Sequence, residues 1–140
     1  MEIRISVRRL VEFILRSGDI DNRIKAMPED AMQEGGRIHR MIQKRMGASY
    51  HAEVVMKYTR EFPTCTIRVE GRADGVMDGN PVEIDEIKGT YRDLDKMKEP
   101  VGEHLAQAKC YAFFYASDHG CEQMKVRMTY CNLEIGRAHV

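Results

Sequence analysis

Gly71-Arg72-Ala73-Asp74-Gly75, a turn at Asp78-Gly79-Asn80-Pro81, and then Glu83-Ile84-Asp85-Glu86-Ile87-Lys88-Gly89 form the stretch on which the reading of this chain turns. Runs rich in β-branched residues on either side of a Gly/Asn/Pro turn predict two antiparallel strands. Alternate residues of a strand share a face, so Val82, Ile84, Glu86 and Lys88 point one way while Glu83, Asp85 and Ile87 point the other. Arg72, Asp74 and Val76 lie on the preceding strand, with Asp74 in reach of Glu86. A carboxylate on one strand and a Glu-x-Lys pair on the next is a minimal set for holding a divalent cation beside an ammonium group that faces a phosphate. Hard oxygen donors suit Mg2+ or Mn2+, and the soft ligand set of a structural zinc site is missing. The plainer alternative is a solvated hairpin whose acids pair with Lys88.

Before this hairpin, Val7, Leu10, Val11, Ile14 and Leu15 recur at helical spacing and predict a short amphipathic helix ending near Ser17-Gly18-Asp19. Its other side carries Arg4, Arg8, Arg9 and Arg16, either ordinary solvation or part of a phosphate-contacting surface. A second helix is expected from Pro28, with Glu29 and Asp30 favouring its positive end, to about Met46, where Gly47 stops it. Residues 53 to 61, 65 to 77 and 82 to 88 read as an antiparallel meander. A polar segment over 89 to 100 precedes a third helix, Val101 to Ser117, and a strand from Glu122 to Asn132. The order α-α-β-β-β-α-β predicts an α/β fold, a mixed central sheet flanked by helices.

The 140 residues, 43% hydrophobic and 31% charged, suit one domain with a core. Lysine plus arginine balances aspartate plus glutamate, 22 against 22, so binding to nucleic acid must use local patches rather than bulk charge. The sequence lacks a long apolar run, and its first residues lack signal-peptide features, so a cytoplasmic location is expected. Cys65, Cys110, Cys121 and Cys131 form no CxxC pair and read as free thiols. Residues 134–140 look like the translation of a sequencing-adapter read-through, so the expected domain spans 1–133 of a truncated chain.

Several further positions carry chemistry. His39 lies beside the apolar Ile38–Ile42 line of the second helix, either facing the sheet as a metal ligand or serving structurally. Gln107 and Tyr111 stand four apart on the third helix, on one face with His104; they position nucleic acid, or hold Lys88 in place, or form a polar helix border beside a core of Leu105, Ala108, Ala112 and Tyr115. Arg37 and Arg40 border His39, and Arg92, Lys96 and Lys98 follow Lys88. These bases either contact phosphates or are balanced by Asp93, Asp95 and Glu99 on a solvated loop. Glu53 is either an additional acidic site residue or a solvated strand end.

Taken together, His39, Gly71-x-x-Asp74, Glu86-x-Lys88 and Gln107-x-x-x-Tyr111, in this order across a β-meander, resemble the motif set of the PD-(D/E)xK nuclease superfamily. The likeness is to its RecB-like exonuclease branch, and within it to the nuclease domain that precedes a DinG/Rad3-like bacterial DNA helicase. It spans Ile3 to about Leu133. The resemblance implies a restriction-endonuclease-like core. It implies metal held by His39, Asp74, Glu86 and the backbone carbonyl of Ile87, with Lys88 as catalytic lysine and Gln107 and Tyr111 supporting the site and contacting DNA. It further implies hydrolysis of DNA to a 5′-phosphate and a 3′-hydroxyl, in DNA repair or processing, with a helicase as partner. Many relatives carry aspartate at the Glu86 position. Some hold an iron–sulfur cluster on one early and three late cysteines, an arrangement lacking here, so no cluster is expected. Two rival expectations are a non-catalytic nucleic-acid-binding brace for a helicase and an α/β interaction domain.

Overall fold

A computed structural model describes residues 1–15, 29–91, 93–133 and 138–139, with 29–35 and 138–139 described as backbone alone. Strand β1 (Glu2–Ser6) leads directly into helix α1 (Val7–Ile14), and α2 covers Glu29–Arg45. Strands β2 (Tyr50–Glu61), β3 (Thr66–Met77) and β4 (Val82–Thr90) follow, then a single 3-10 turn at Leu94–Lys96, helix α3 (Gly102–His119), β5 (Met124–Asn132) and β6 (Ala138–His139). The mixed α/β class, the meander and the strand that follows a third helix are as the sequence predicts. Strand β1 is an addition, and β2 begins three residues earlier than its pattern suggests. The expected helix boundaries at Pro28 and Ser17-Gly18-Asp19 lie outside the described residues.

Local chemistry explains the starts and stops. Ser6 caps α1, its hydroxyl accepting from the Arg9 amide at 3.1 Å. Val7 and Val11, one helical turn apart, are buried on the inner side of α1. Strand β1 escapes a periodicity reading because it is only five residues long, is mostly exposed, and abuts the helix at Ser6.

Strand β3 organises the sheet. Along one side it pairs antiparallel with β2 over its whole length, from Glu61↔Thr66 to Tyr50↔Met77. Its other side is shared: β1 pairs parallel with Thr66 to Glu70, and β4 pairs antiparallel with Gly75 to Met77. Between them, residues 71–74 have no strand partner on that side, and the sheet forks. Strand β5 then lies parallel to β4 in the register Val82↔Met124 to Thr90↔Asn132, reached by way of α3.

Helices cover both faces. The main core joins Val7 and Val11 of α1 and Tyr111, Ala112 and Phe114 of α3 to Val69, Ala73, Val76 and Ile84 of the sheet. On the other face Ile38 of α2 packs with Cys131 and Leu133. The pleat itself reverses near the fork. Gly71 and Gly75 have the same parity and would share a face in a regular strand. Yet a Cβ on Gly71 would strike Tyr111 and Val7, whereas one on Gly75 would collide with the phenol of Tyr50 on the far face. On the neighbouring strand, Glu53 adopts the left-handed conformation, φ 56°, between Tyr50 and the core-facing Val54 and Met56. A non-glycine residue held there stores about 1–3 kcal/mol of strain, which the surrounding ladder must offset.

Candidate functional site

The fork places Asp74 at the point where β3 and β4 part. Continuing the β3–β4 register by one step past Gly75↔Asp85 sets Asp74 opposite Glu86, and continuing the β2–β3 register sets Glu53 opposite Asp74. The strands have separated too far there for backbone pairing, so side chains take over the backbone groups. The Ile87 amide donates to Asp74 Oδ2 at 2.6 Å, and the Ile87 carbonyl accepts from His39 Nε2 at 2.6 Å. The Asp74 carbonyl accepts from Gln43 Nε2 at 2.9 Å. His39 and Gln43 stand one turn apart on α2, so a single helix face clips both diverging strands.

Lys88 shares its strand face with Glu86, as alternation requires. Its ammonium donates to Gln107 Oε1 at 2.9 Å and lies 3.8 Å from Glu86 Oε2. Gln107 and Tyr111 are buried on the inner side of α3, which overturns the polar-border alternative for them. Leu105 and Tyr115, read as core, are only partly buried. Gly71 is what lets the Tyr111 phenol lie against β3.

Electrostatics at this point are poised. Glu86 is 3% exposed. Burial first, then the adjacent Asp74 carboxylate and a hydrogen bond shared with it, raise the Glu86 carboxyl far above its ordinary range; Lys88 opposes the shift. Tyr111 is pushed up to about 12, by burial first and then by the charge of Glu86. Positive charge beside Glu86 favours its ionised form, and Lys88, 3.8 Å away, supplies part of it.

Asp74 Oδ2, His39 Nε2 and the Ile87 carbonyl converge, with His39 Nε2 3.8 Å from Asp74 Oδ2. The donors are mostly hard oxygens, the chemistry that suits Mg2+ or Mn2+ rather than a soft metal. Among the described residues no three His, Cys, Asp or Glu side chains gather into a ready cage. The set here depends on a backbone carbonyl, and its imidazole is hydrogen-bonded to that carbonyl.

A cleft of about 490 Å³ opens over these groups, lined by His39, Asp74, Ile87, Lys88 and Gln107 together with Arg8, Arg40, Glu53 and His104. Of the candidate phosphate contacts, Arg40 lines the cleft and Arg37 is an exposed neighbour on α2. Lys96 belongs to the turn after β4, and Lys98 lines a separate small pocket with Pro100, Met128 and Tyr130. Arg92 lies outside the described residues. Glu53 is on the cleft wall, its carboxylate 4.0 Å from Arg72. Gln43 is a participant that the sequence hardly announces; its only signal there is the four-residue spacing from His39.

Among the described residues no helix is long and apolar enough to cross a membrane. No protein-family model and no curated protein sequence matches the chain. Among solved structures it is similar to the crystal structure of SSO0001, with a TM-score of 0.65 and 16% sequence identity. The likeness covers 99% of this chain and 66% of that one, so the chain spans about two thirds of its length. At that identity the likeness is one of fold, and the mixed α/β architecture described above is what the two chains share.

Proposed function

We propose that the cleft hydrolyses phosphodiester bonds of DNA as a divalent-metal-dependent deoxyribonuclease. The observation that carries the reading is the convergence of Asp74, Glu86, Lys88, His39 and the Ile87 carbonyl at one fork in the sheet, with Gln107 holding the lysine. Asp74, Glu86 and the Ile87 carbonyl would hold Mg2+ or Mn2+, and His39 would join them through Nε2 in the tautomer that carries its proton on Nδ1, releasing its hydrogen bond to that carbonyl. When bound, such a cation supplies Lewis acidity that activates water and offsets phosphate charge.

The chain's own groups do the rest. Gln107 directs the Lys88 ammonium into the cleft, where it stabilises negative charge developing on a phosphate oxygen or orients the attacking water. A lysine with an ordinary pKa near 10.4 is a poor proton acceptor at neutral pH, which favours this electrostatic role. Arg40 of α2 and Arg8 of α1 both line the cleft and are suited to phosphate contacts, Arg8 after exchanging its ion pair with Glu12, 3.2 Å away, for a phosphate. The neutral net charge fits delivery of unwound DNA by a helicase partner, the arrangement that the motif resemblance implies.

The test is incubation of the protein with single- and double-stranded DNA, with and without Mg2+ or Mn2+, beside Glu86→Ala and Lys88→Ala proteins. Metal-dependent cleavage lost in both variants supports the reading. Cleavage retained in both refutes it, and binding without cleavage by the unaltered protein assigns a non-catalytic role.

A further inference from the structure

Behind the cleft, on the opposite face of β4 from Glu86, Asp85 is 1% exposed and takes no part in the chemistry above. Each of its oxygens has a donor: the Tyr50 hydroxyl gives to Oδ2 at 2.7 Å and the Thr129 hydroxyl to Oδ1 at 2.8 Å. Tyr50 is on β2, Asp85 on β4 and Thr129 on β5, so a single carboxylate cross-links three strands. The arrangement requires a glycine, since any side chain at 75 would displace the Tyr50 phenol.

The place of the cross-link is informative. Gly75↔Asp85 is the final β3–β4 pair before the fork. The cross-link lies beside the site: Asp85 precedes Glu86, Thr129 is the β5 partner of Ile87, and the Tyr50 phenol lies over Gly75, which follows Asp74. Past this pair no ladder holds Asp74 and Glu86 in register, so slack at the pair passes directly into the spacing of the two carboxylates. A network with every partner satisfied is stiff, and its stiffness sits one residue behind the site on both strands.

We propose that the Tyr50–Asp85–Thr129 cross-link is a positioning device that clamps the last β3–β4 pair and thereby fixes Asp74 against Glu86 and Ile87 in the cleft. Its effect on rate rests on the deoxyribonuclease reading. Its structural content does not, because the Ile87 amide bond to Asp74 Oδ2 can be followed without DNA.

The test uses the whole chain carrying Tyr50→Phe or Thr129→Val, each of which keeps the side-chain shape and removes one hydroxyl. Two quantities are measured: hydrogen exchange of the Ile87 amide by NMR, alongside the amides of the β2–β3 ladder, and kcat and KM for Mn2+-dependent cleavage of a single-stranded oligonucleotide. Ile87 exchange is expected to quicken about tenfold more than exchange in the β2–β3 ladder, the scale of one lost hydrogen bond. The kcat is expected to fall roughly ten- to a hundredfold with KM unchanged, as misplacement of reacting groups does. Ile87 exchange that stays put, or that rises only in step with all other amides, overturns the proposal and leaves Asp85 a purely stabilising group. Failure of the unaltered protein to cleave DNA defeats the deoxyribonuclease reading, and the Ile87 exchange then decides the positioning proposal alone. If the Tyr50 variant does not fold, the Thr129 variant decides it.

Discussion

Asp85 and Glu86 are adjacent carboxylates, both almost wholly buried, on opposite faces of one strand, and they are treated in opposite ways. Asp85 faces two hydroxyl donors. Glu86 faces a second carboxylate, with the Lys88 ammonium 3.8 Å away. Burying a charge is costly unless partners compensate. Asp85 has its compensation built in, as a structural tie does, whereas Glu86 sits where added positive charge is favourable, the property on which the proposed function draws. Burial alone does not separate the two; the chemistry of the neighbours does.

The sharpest way to break this contrast is substitution on each side of it. Lys88→Ala is expected to lower kcat by about 10²- to 10³-fold, the usual effect of removing one group that stabilises transition-state charge; steady-state cleavage assays measure it. Asp85→Ala is expected to destabilise the fold by roughly 1–3 kcal/mol for each hydroxyl left without its acceptor. Glu86→Gln is expected to do the reverse, abolishing cleavage while stabilising the metal-free protein by about 0.5–2 kcal/mol, as relief of a strained site does. Urea unfolding of both variants checks the pair, and equal destabilisation would erase the distinction drawn here.

A pH series sharpens the same point. In the metal-free folded chain, burial holds the Glu86 proton more tightly than in the unfolded chain, so between its ordinary 4.5 and the raised value the folded state binds more protons. Stability therefore falls as pH rises across that window. Melting temperature against pH is expected to slope downward for the unaltered protein and to flatten in Glu86→Gln. The smallest effect is expected from Gln43→Ala, which removes one hydrogen bond to the Asp74 carbonyl and costs about 0.5–1.5 kcal/mol, read by thermal unfolding.

Much of this is legible in the sequence because strand alternation is a strong constraint. The Val82/Ile84/Glu86/Lys88 face, the meander and the Asp74–Glu86 approach follow from period two and one turn. Other features are hidden for physical reasons. Asp85 reads as a polar residue on the outward parity of a strand, and its burial depends on α2 covering that face and on hydroxyls from strands 35 and 44 residues away. The pleat reversal is equally silent, since glutamate at 53 carries no propensity for a left-handed backbone. Lys96 and Lys98 follow Lys88 closely in sequence, but the turn at Leu94–Lys96 sends the chain toward a different pocket.

The left-handed Glu53 has a consequence for association. Among the described residues the outer border of β2 meets no other strand, and twelve residues of open backbone are a template on which a second chain can zip. Flat, regular edges propagate such pairing; kinked and charged ones do not. Glu53 breaks the regular extended conformation of this edge and Lys57 and Arg60 are exposed along it, both features that disfavour adding a neighbour, and a regular β-former at 53 is expected to weaken that defence.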